Sequence, residues 1–519
     1  MSWTQGEKWI MKLQDLKDVL NDEKQLTENG AVGYKTTGKE LLDLNFSTSS
    51  LRRLNEKDIY DRFVKAFYEN KLLAIKWLYF LRDVRGGMGE RRSFRAILKN
   101  LAYSQPELVK QLINVTAEYG REDDLWCLLD TDIRDNVISY IKMKLMNDIG
   151  NATEGKPISL LGKWLPSSKS KKEEKRRWAA NIRAGLGMSK KQYDKVLKAL
   201  RDKSNVIESQ ISRNKWDEVD YSAVPSKANL LYRNAFLRHD EERRREYLAA
   251  LSKGEVKINV GILFVHDIIH SYTNSDRWGY RMVVKDLDNV LEDAFEELIS
   301  TLSIYEDTIV VRDDSGSMTI EVDPKSKTSA LEIATALAIT FSTTLKGEFK
   351  DKYISFSSRP KFIDMSNCKT LKEKLELSYA HSEVSNTNIK ATFDLILEVA
   401  VRNRYTQDEL PKNILIISDM EFDYSCTSRP NEALFEEIAR DYAAHGYKLP
   451  RLVFWNLNSR TGTIPVKQNE CGVALVSGFS QNILNMVING SLDPYQNLVD
   501  ILNNKRYDAV EQAFNKANI

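Results

Sequence analysis

The sequence has few of the residues that build disulfide frameworks and metal knuckles. Its 519 residues include four cysteines, Cys127, Cys368, Cys426 and Cys471, with no C-x-x-C pair, which excludes a zinc knuckle and a disulfide-stapled fold. Only 11 prolines and no low-complexity tract leave no room for a fibrous or wholly disordered chain. No apolar run approaches the roughly 18 to 20 residues of a membrane helix, the best being short stretches such as Gly261 to Val265 and Asn413 to Ile417. The first residues carry no charged-then-apolar secretion pattern, so a reducing cytoplasm is expected and no membrane partner. With 42% apolar and 29% charged residues, the chain can bury at least one large core under a charged surface.

The charges are unevenly distributed. Residues 1–300 hold 52 basic against 45 acidic side chains and residues 301–519 hold 24 against 29, so the net +2 divides into +7 and −5. Residues 161–200 alone carry 12 basic side chains against Glu173, Glu174 and Asp194. Such a cluster is an electrostatic footprint for a polyanion, because phosphate neutralisation releases counterions. The alternative is a solvated loop.

Two periodicities divide the chain. Up to about residue 300 the apolar positions recur at helical spacing: Asp58 to Glu69, Lys71 to Leu81, Glu90 to Ala102 and Pro106 to Tyr119 read as consecutive helices joined by short turns. Stacked helix pairs of this kind predict an all-α, HEAT-like helical-repeat domain over 1–300. Ser189 and Gln192 form a capping-box pattern; beyond it Tyr193, Val196, Leu197 and Leu200 line one face, while Lys190, Lys191, Lys195 and Lys198 line another. From about residue 305, short β-rich runs alternate with helices, which predicts a doubly wound, Rossmann-like α/β domain over 301–490, followed by a helical extension over 491–519. Ligands of such a sheet bind at the carboxyl ends of its strands.

The expected first strand, Ile309 to Val311, runs into Asp313, Ser315 and Ser317 at D-x-S-x-S spacing, with Gly316 allowing a tight turn. The strand Asn413 to Ile417 ends at Asp419 on the same edge, and the loop before the helix from Ile389 supplies Thr387. Oxygen-only donors suit Mg2+, Mn2+ or Ca2+ rather than zinc. The alternative is that residues 313–317 only cap a helix. Glu421 and Asp423 read either as part of a two-metal cluster or as surface acids that strengthen the negative potential.

Asp313, Ser315, Ser317, Thr387 and Asp419, in this order at strand ends, resemble the metal-ion-dependent adhesion site of von Willebrand factor A domains over residues 300–490. The resemblance implies a divalent cation with an open coordination position for a partner's carboxylate, Asp313 and Asp419 acting largely through water. A helical half before such a domain is similar to the TROVE proteins, the Ro autoantigen and its bacterial relatives, and especially to an uncharacterised bacterial, viral and plant family of the same layout. The strings that carry this second resemblance are residues 80–92 (FLRDVRGGMGERR), 119–125 (YGREDDL) and 224–228 (VPSKA). It implies binding of small noncoding or misfolded RNA.

Read for that role, Arg82, Arg85, Arg91, Arg92 and Arg95 surround a glycine-rich loop whose backbone N–H groups suit phosphate; the bland reading is an interhelical turn with Arg82 paired to Asp83 or Glu90. Lys171, Lys172, Lys175, Arg176, Arg177, Arg183, Lys190 and Lys191 extend the basic surface, with Trp164, Trp178 and Tyr193 either stacking on bases or anchoring a core. His266 and His270 share a helical face, but no third ligand or catalytic Glu accompanies them, and no nucleophile motif is present, so no enzymatic activity is expected. The sequence thus predicts a noncatalytic RNA-binding scaffold that recruits a protein partner through its metal site. The rival is an adaptor without RNA whose metal docks an acidic residue of an AAA-type ATPase or other assembly.

Overall fold

A computed structural model describes residues 24–204, 206–253, 255–256, 263–275, 282–302, 307–323, 327–424, 432–467, 471–483 and 492–517. Cys426 and the first two residues of the apolar run, Gly261 and Ile262, lie outside the described residues. The chain forms two compact units, each assembled from separated stretches: Met1–Arg53, Phe264–Asp288 and Ile299–Ile501 in one, Leu54–Leu263, Asn289–Leu298 and Leu502–Ile519 in the other. No helix among the described residues is long and apolar enough to cross a membrane.

The first unit holds a six-stranded sheet of β1 (Thr308–Asp313), β2 (Lys352–Phe356), β3 (Lys361–Asp364), β4 (Asn413–Ser418), β5 (Arg451–Asn456) and β6 (Val473–Ser477). Their spatial order is β6-β5-β4-β1-β2-β3, all parallel except the edge pair of β2 and β3. Strands β1, β5 and β6 are buried along their whole length, as parallel strands covered on both faces must be. Two consecutive residues of β5 show the two covers, because successive side chains point to opposite faces. Phe454 meets Phe435 of the helix Leu434–Ala444 at a ring separation of 4.9 Å, and Trp455 meets Phe341 of the helix Ala330–Thr344 at 5.2 Å. The strand order reverses between β1 and β4, which leaves a crevice at their carboxyl ends.

This unit does not begin near residue 301. A hairpin of Lys24–Leu26 and Val32–Tyr34 belongs to it: the N–H groups of Tyr34 and Ile464 each donate to the other's carbonyl at 2.8 Å. The helix Glu40–Phe46 packs on β6. Three-residue strands offer too little alternation to be read locally, and the link from Tyr34 to Ile464 that ties the hairpin to the unit spans 430 positions. The four-residue β3, with Phe362 exposed, escaped notice for the same reason.

In the second unit, helices Glu56–Glu69, Lys71–Arg82, Arg92–Ser104 and Pro106–Tyr119 follow the expected succession. Asn55 and Asn70 cap the first two by accepting the N–H groups of Asp58 and Leu73. The unit is completed by the chain's last helix, Asp508–Lys516, which packs on Lys71–Arg82 and Pro106–Tyr119. Tyr507 stacks on Tyr119 at 5.7 Å, Val510 is fully buried, and Glu511 pairs with the buried Lys76 at 2.5 Å. The end of the chain is therefore core rather than an appended extension. Deleting residues 503–519 is expected to abolish slow hydrogen exchange in 71–82 and 106–119 while the amides of the sheet stay protected. Unchanged protection of those two helices would show that the last helix is dispensable.

Candidate functional site

The carboxyl ends of β1 and β4 meet because the two strands are in parallel register, Arg312 beside Ile417. One step further, Ser418 Oγ donates to Asp313 Oδ2 at 2.5 Å, and Asp313 Oδ1 accepts the Ser315 N–H at 2.9 Å, closing the Asp-x-Ser turn. The Ser315 and Ser317 hydroxyls lie 3.0 Å apart. The Thr387 loop is tied to this turn by Gly316 N–H, which donates to the Ser385 carbonyl at 2.9 Å. On its other side, Thr387 N–H donates to the Asp423 carboxylate and Asp423 N–H to the Thr387 carbonyl, each at 3.0 Å. The structure thus brings the loops of all five predicted donors to one edge of the sheet. Met420 takes a left-handed φ of +65°, unfavourable for a side-chain-bearing residue by about 1–2 kcal/mol. That turn lets its N–H reach Ser418 Oγ at 2.9 Å directly after Asp419. The neighbouring Asp314 is not available to the site: it accepts from Ser382 Oγ and Glu383 N–H and faces the buried Arg312 guanidinium at 3.2 Å.

Asp313, Ser315, Thr387 and Asp419 are buried, and Ser317 is partly exposed. Burial and the charge of Asp419 push the Asp313 carboxyl well above the ordinary carboxylate range, and burial raises Asp419 as well. Among the described residues Asp419 Oδ2 has no hydrogen-bond partner; the Arg460 guanidinium stands 3.5 Å from it, beyond good hydrogen-bond length. A buried, orphaned carboxylate oxygen is costly unless a cation compensates it. Two carboxylates and three hydroxyls, with no nitrogen or sulfur among them, fit a hard divalent cation. Among the described residues no three His, Cys, Asp or Glu side chains form a metal-binding group.

Glu421 is neither a surface acid nor free to join a second metal. It is fully buried, its Oε1 accepting the N–H groups of Arg460 at 2.7 Å and Thr461 at 2.9 Å, its Oε2 the N–H of Glu28 at 2.8 Å. It organises two loops at the mouth of the site. Sequence reading missed this role, and it missed Asn29, whose Nδ2 donates to Thr387 Oγ1 at 3.2 Å. No local pattern marks either contact.

The glycine-rich loop at 86–89 is a helix stop rather than a phosphate cradle. Amides at the end of the loop are taken by the preceding helix: Met88 N–H donates to the Phe80 carbonyl, Gly89 N–H to Asp83 and Glu90 N–H to Leu81. A Cβ on Gly87 would sit 2.1 Å from the Phe80 carbonyl oxygen, so only glycine fits. Arg82 is fully buried and donates through Nε to Asp124 at 2.7 Å, not to Asp83 or Glu90; Arg95 donates to the other Asp124 oxygen at 2.7 Å. Arg82 is therefore withdrawn from any nucleic-acid surface, while Arg95, partly exposed, is engaged by Asp124. The strings at 80–92 and 119–125 are the two halves of one ion-paired knot, closed by Arg506 on the buried Asp83. Arg85, Arg91 and Arg92 stay exposed.

The basic stretch forms helices Glu173–Gly185 and Lys190–Lys203, the second opened by the expected Ser189 and Gln192 box. Trp178 and Tyr193 are core anchors, donating to Asp130 Oδ2 and the Pro166 carbonyl. Trp164, half-buried, lies under Arg121 at 3.8 Å. Arg177 pairs with Asp130, and Arg176 donates to the carbonyls of Ser170 and Lys171. Lys171, Lys172, Lys175, Lys190 and Lys191 are exposed and, among the described residues, form no ion pair; Arg183 is half-buried. His270 Nδ1 is 3.0 Å from Glu332 Oε1, which also accepts from Thr273 Oγ1, and the His266 ring stacks on Phe264. Neither is arranged as a metal ligand.

Comparison with known proteins finds two family matches, neither of which coincides with one structural unit. Residues 307–518 match the model of a domain of unknown function (DUF7788), and residues 172–304 that of another domain of unknown function (DUF2828). Over 516 aligned residues the chain is 28% identical to an uncharacterized protein, L728, of Acanthamoeba polyphaga mimivirus. That alignment covers 92% of this chain and 86% of the viral protein, so the likeness extends across both halves of the sequence.

Proposed function

We propose that the protein is a noncatalytic RNA-binding scaffold of Ro-like layout. In this reading its α/β unit is a von Willebrand factor A-type domain that recruits a protein partner through Mg2+, Mn2+ or Ca2+. The observation that carries the metal half is the buried pair Asp313 and Asp419, with one oxygen orphaned, at the point where the strand order reverses. A bound cation supplies there an open position for a partner's carboxylate. Asp313 and Asp419 contribute the negative charge, Ser315, Ser317 and Thr387 the neutral oxygens, and the Glu421-anchored loops the rigid frame.

The RNA half rests on exposed lysines: Lys171 and Lys172 in the turn before the helix Glu173–Gly185, Lys175 on it, and Lys190 and Lys191 at the start of the next, while Trp178 and Tyr193 face inward. Changing Lys171, Lys172, Lys175, Lys190 and Lys191 to Glu is expected to lower affinity for single-stranded RNA more than about tenfold. The dependence of log affinity on log salt should flatten by about 0.7 per lost phosphate contact. Filter binding at several salt concentrations measures both, and an unchanged slope would remove RNA from the function. The second reading, an adaptor that docks an acidic residue of an ATPase without RNA, is favoured by the internal pairing of Arg82, Arg95 and Arg177. Absence of nucleic acid copurifying with the native protein, read from its ultraviolet absorbance ratio, would select it.

A further inference from the structure

Arg460 stands between two acids. It follows β5 in a loop whose backbone is held by Glu421, and its guanidinium pairs with Glu28 through Nε while another nitrogen lies 3.5 Å from the orphaned Asp419 Oδ2. Glu28 is in the turn of the N-terminal hairpin, and the same Glu421 carboxylate holds its N–H at 2.8 Å. One buried carboxylate thus fixes the backbones of both Arg460 and Glu28, leaving their side chains as the movable parts. Asp419 is fully buried, Arg460 is about one-fifth exposed (22%) and Glu28 about half (54%).

We propose that Arg460 is an internal competitor for the cation site and that Glu28 keeps it half-withdrawn, so that this pair sets the affinity for the divalent ion. The inference rests on the metal reading above. A guanidinium and a divalent cation seek the same Asp419 oxygen, and their like charges exclude each other at such short range. The geometry places Arg460 between the two: its Nε is in ion-pair contact with Glu28, another guanidinium nitrogen stands 3.5 Å from Asp419 Oδ2, and neither contact is a well-aligned hydrogen bond. Without the Glu28 charge, Arg460 would close on Asp419; without Arg460, the oxygen would be open.

The two acids make the test directional. Titrating the full chain with Mn2+ by calorimetry, Arg460→Met is expected to tighten binding by about fivefold or more, and Glu28→Gln to weaken it by about threefold or more. The double variant should behave as Arg460→Met, and Arg460→Lys, which keeps the charge, should stay near the wild type. A loop that matters only for its shape would weaken binding in both single variants, and that result overturns the proposal, as does Arg460→Met leaving a measurable wild-type affinity unchanged. If no variant and not the wild type binds Mn2+, the metal reading falls together with this one.

Discussion

Asp313→Asn is expected to lower Mn2+ affinity by about 100-fold or more without weakening the protein in chelator. The geometry explains both halves of this outcome. The amide oxygen can still accept the Ser315 N–H, and the amide nitrogen can donate to Ser418 Oγ, which has lone pairs to receive it. Every hydrogen bond of the turn therefore has a substitute, while one of two adjacent buried charges disappears. That charge is unfavourable in the folded state, as the raised carboxyl shows. A carboxyl raised on folding stabilises the fold only in acid and loses that contribution as the pH climbs through its elevated value. The stability advantage of Asn over Asp in chelator should consequently grow between about pH 4 and pH 8. Thermal melts across that range, paired with calorimetric titration, check it. Retained Mn2+ affinity would refute the role of Asp313, and a less stable variant in chelator would refute the account of its charge.

The second large effect concerns stability alone. Asp124→Ala should cost about 3–5 kcal/mol in urea denaturation of the helical unit, the range for breaking a buried ion pair from one side. Both Asp124 oxygens are used, Oδ2 by Arg82 Nε and the Arg121 N–H, Oδ1 by Arg95 Nε. Removing the carboxylate leaves Arg82 charged with no exposure to water. Asp123→Ala is a fitting control, because Asp123 keeps partial access to solvent and the change should cost only about 1 kcal/mol. Equal losses for the two would mean that the Arg82 charge finds water by local opening.

The metal candidate was legible because its signal is local. An apolar strand followed by D-x-S-x-S turns its own backbone, and Ser315 N–H on Asp313 is a bond between residues two apart. The strand order that sets β1 beside β4 follows from the alternation of strands and helices. The arginine string misled for the opposite reason. Five guanidinium groups around three glycines read as a phosphate site when only neighbours are counted, yet Arg82 is buried by an aspartate 42 positions on. The lysines from 171 to 191 were easier, since an amphipathic helix already separates its wet face from its dry one.

Local chemistry in the chain, the turn propensity, the apolar periodicity and the capping residues, determined a helical part and an α/β part, their longer elements and the placing of oxygen donors at strand ends. Only the tertiary structure decided that the hairpin from Lys24 and the helix Glu40–Phe46 belong to the unit of the sheet, that the helix Asp508–Lys516 completes the helical core, that Glu421 lies inside and that Arg460 faces Asp419. Periodicity and turn chemistry act over a few residues and leave their mark on composition. The pairing of charges across hundreds of positions depends on which surfaces the folded chain brings together, and no spacing along the chain encodes it.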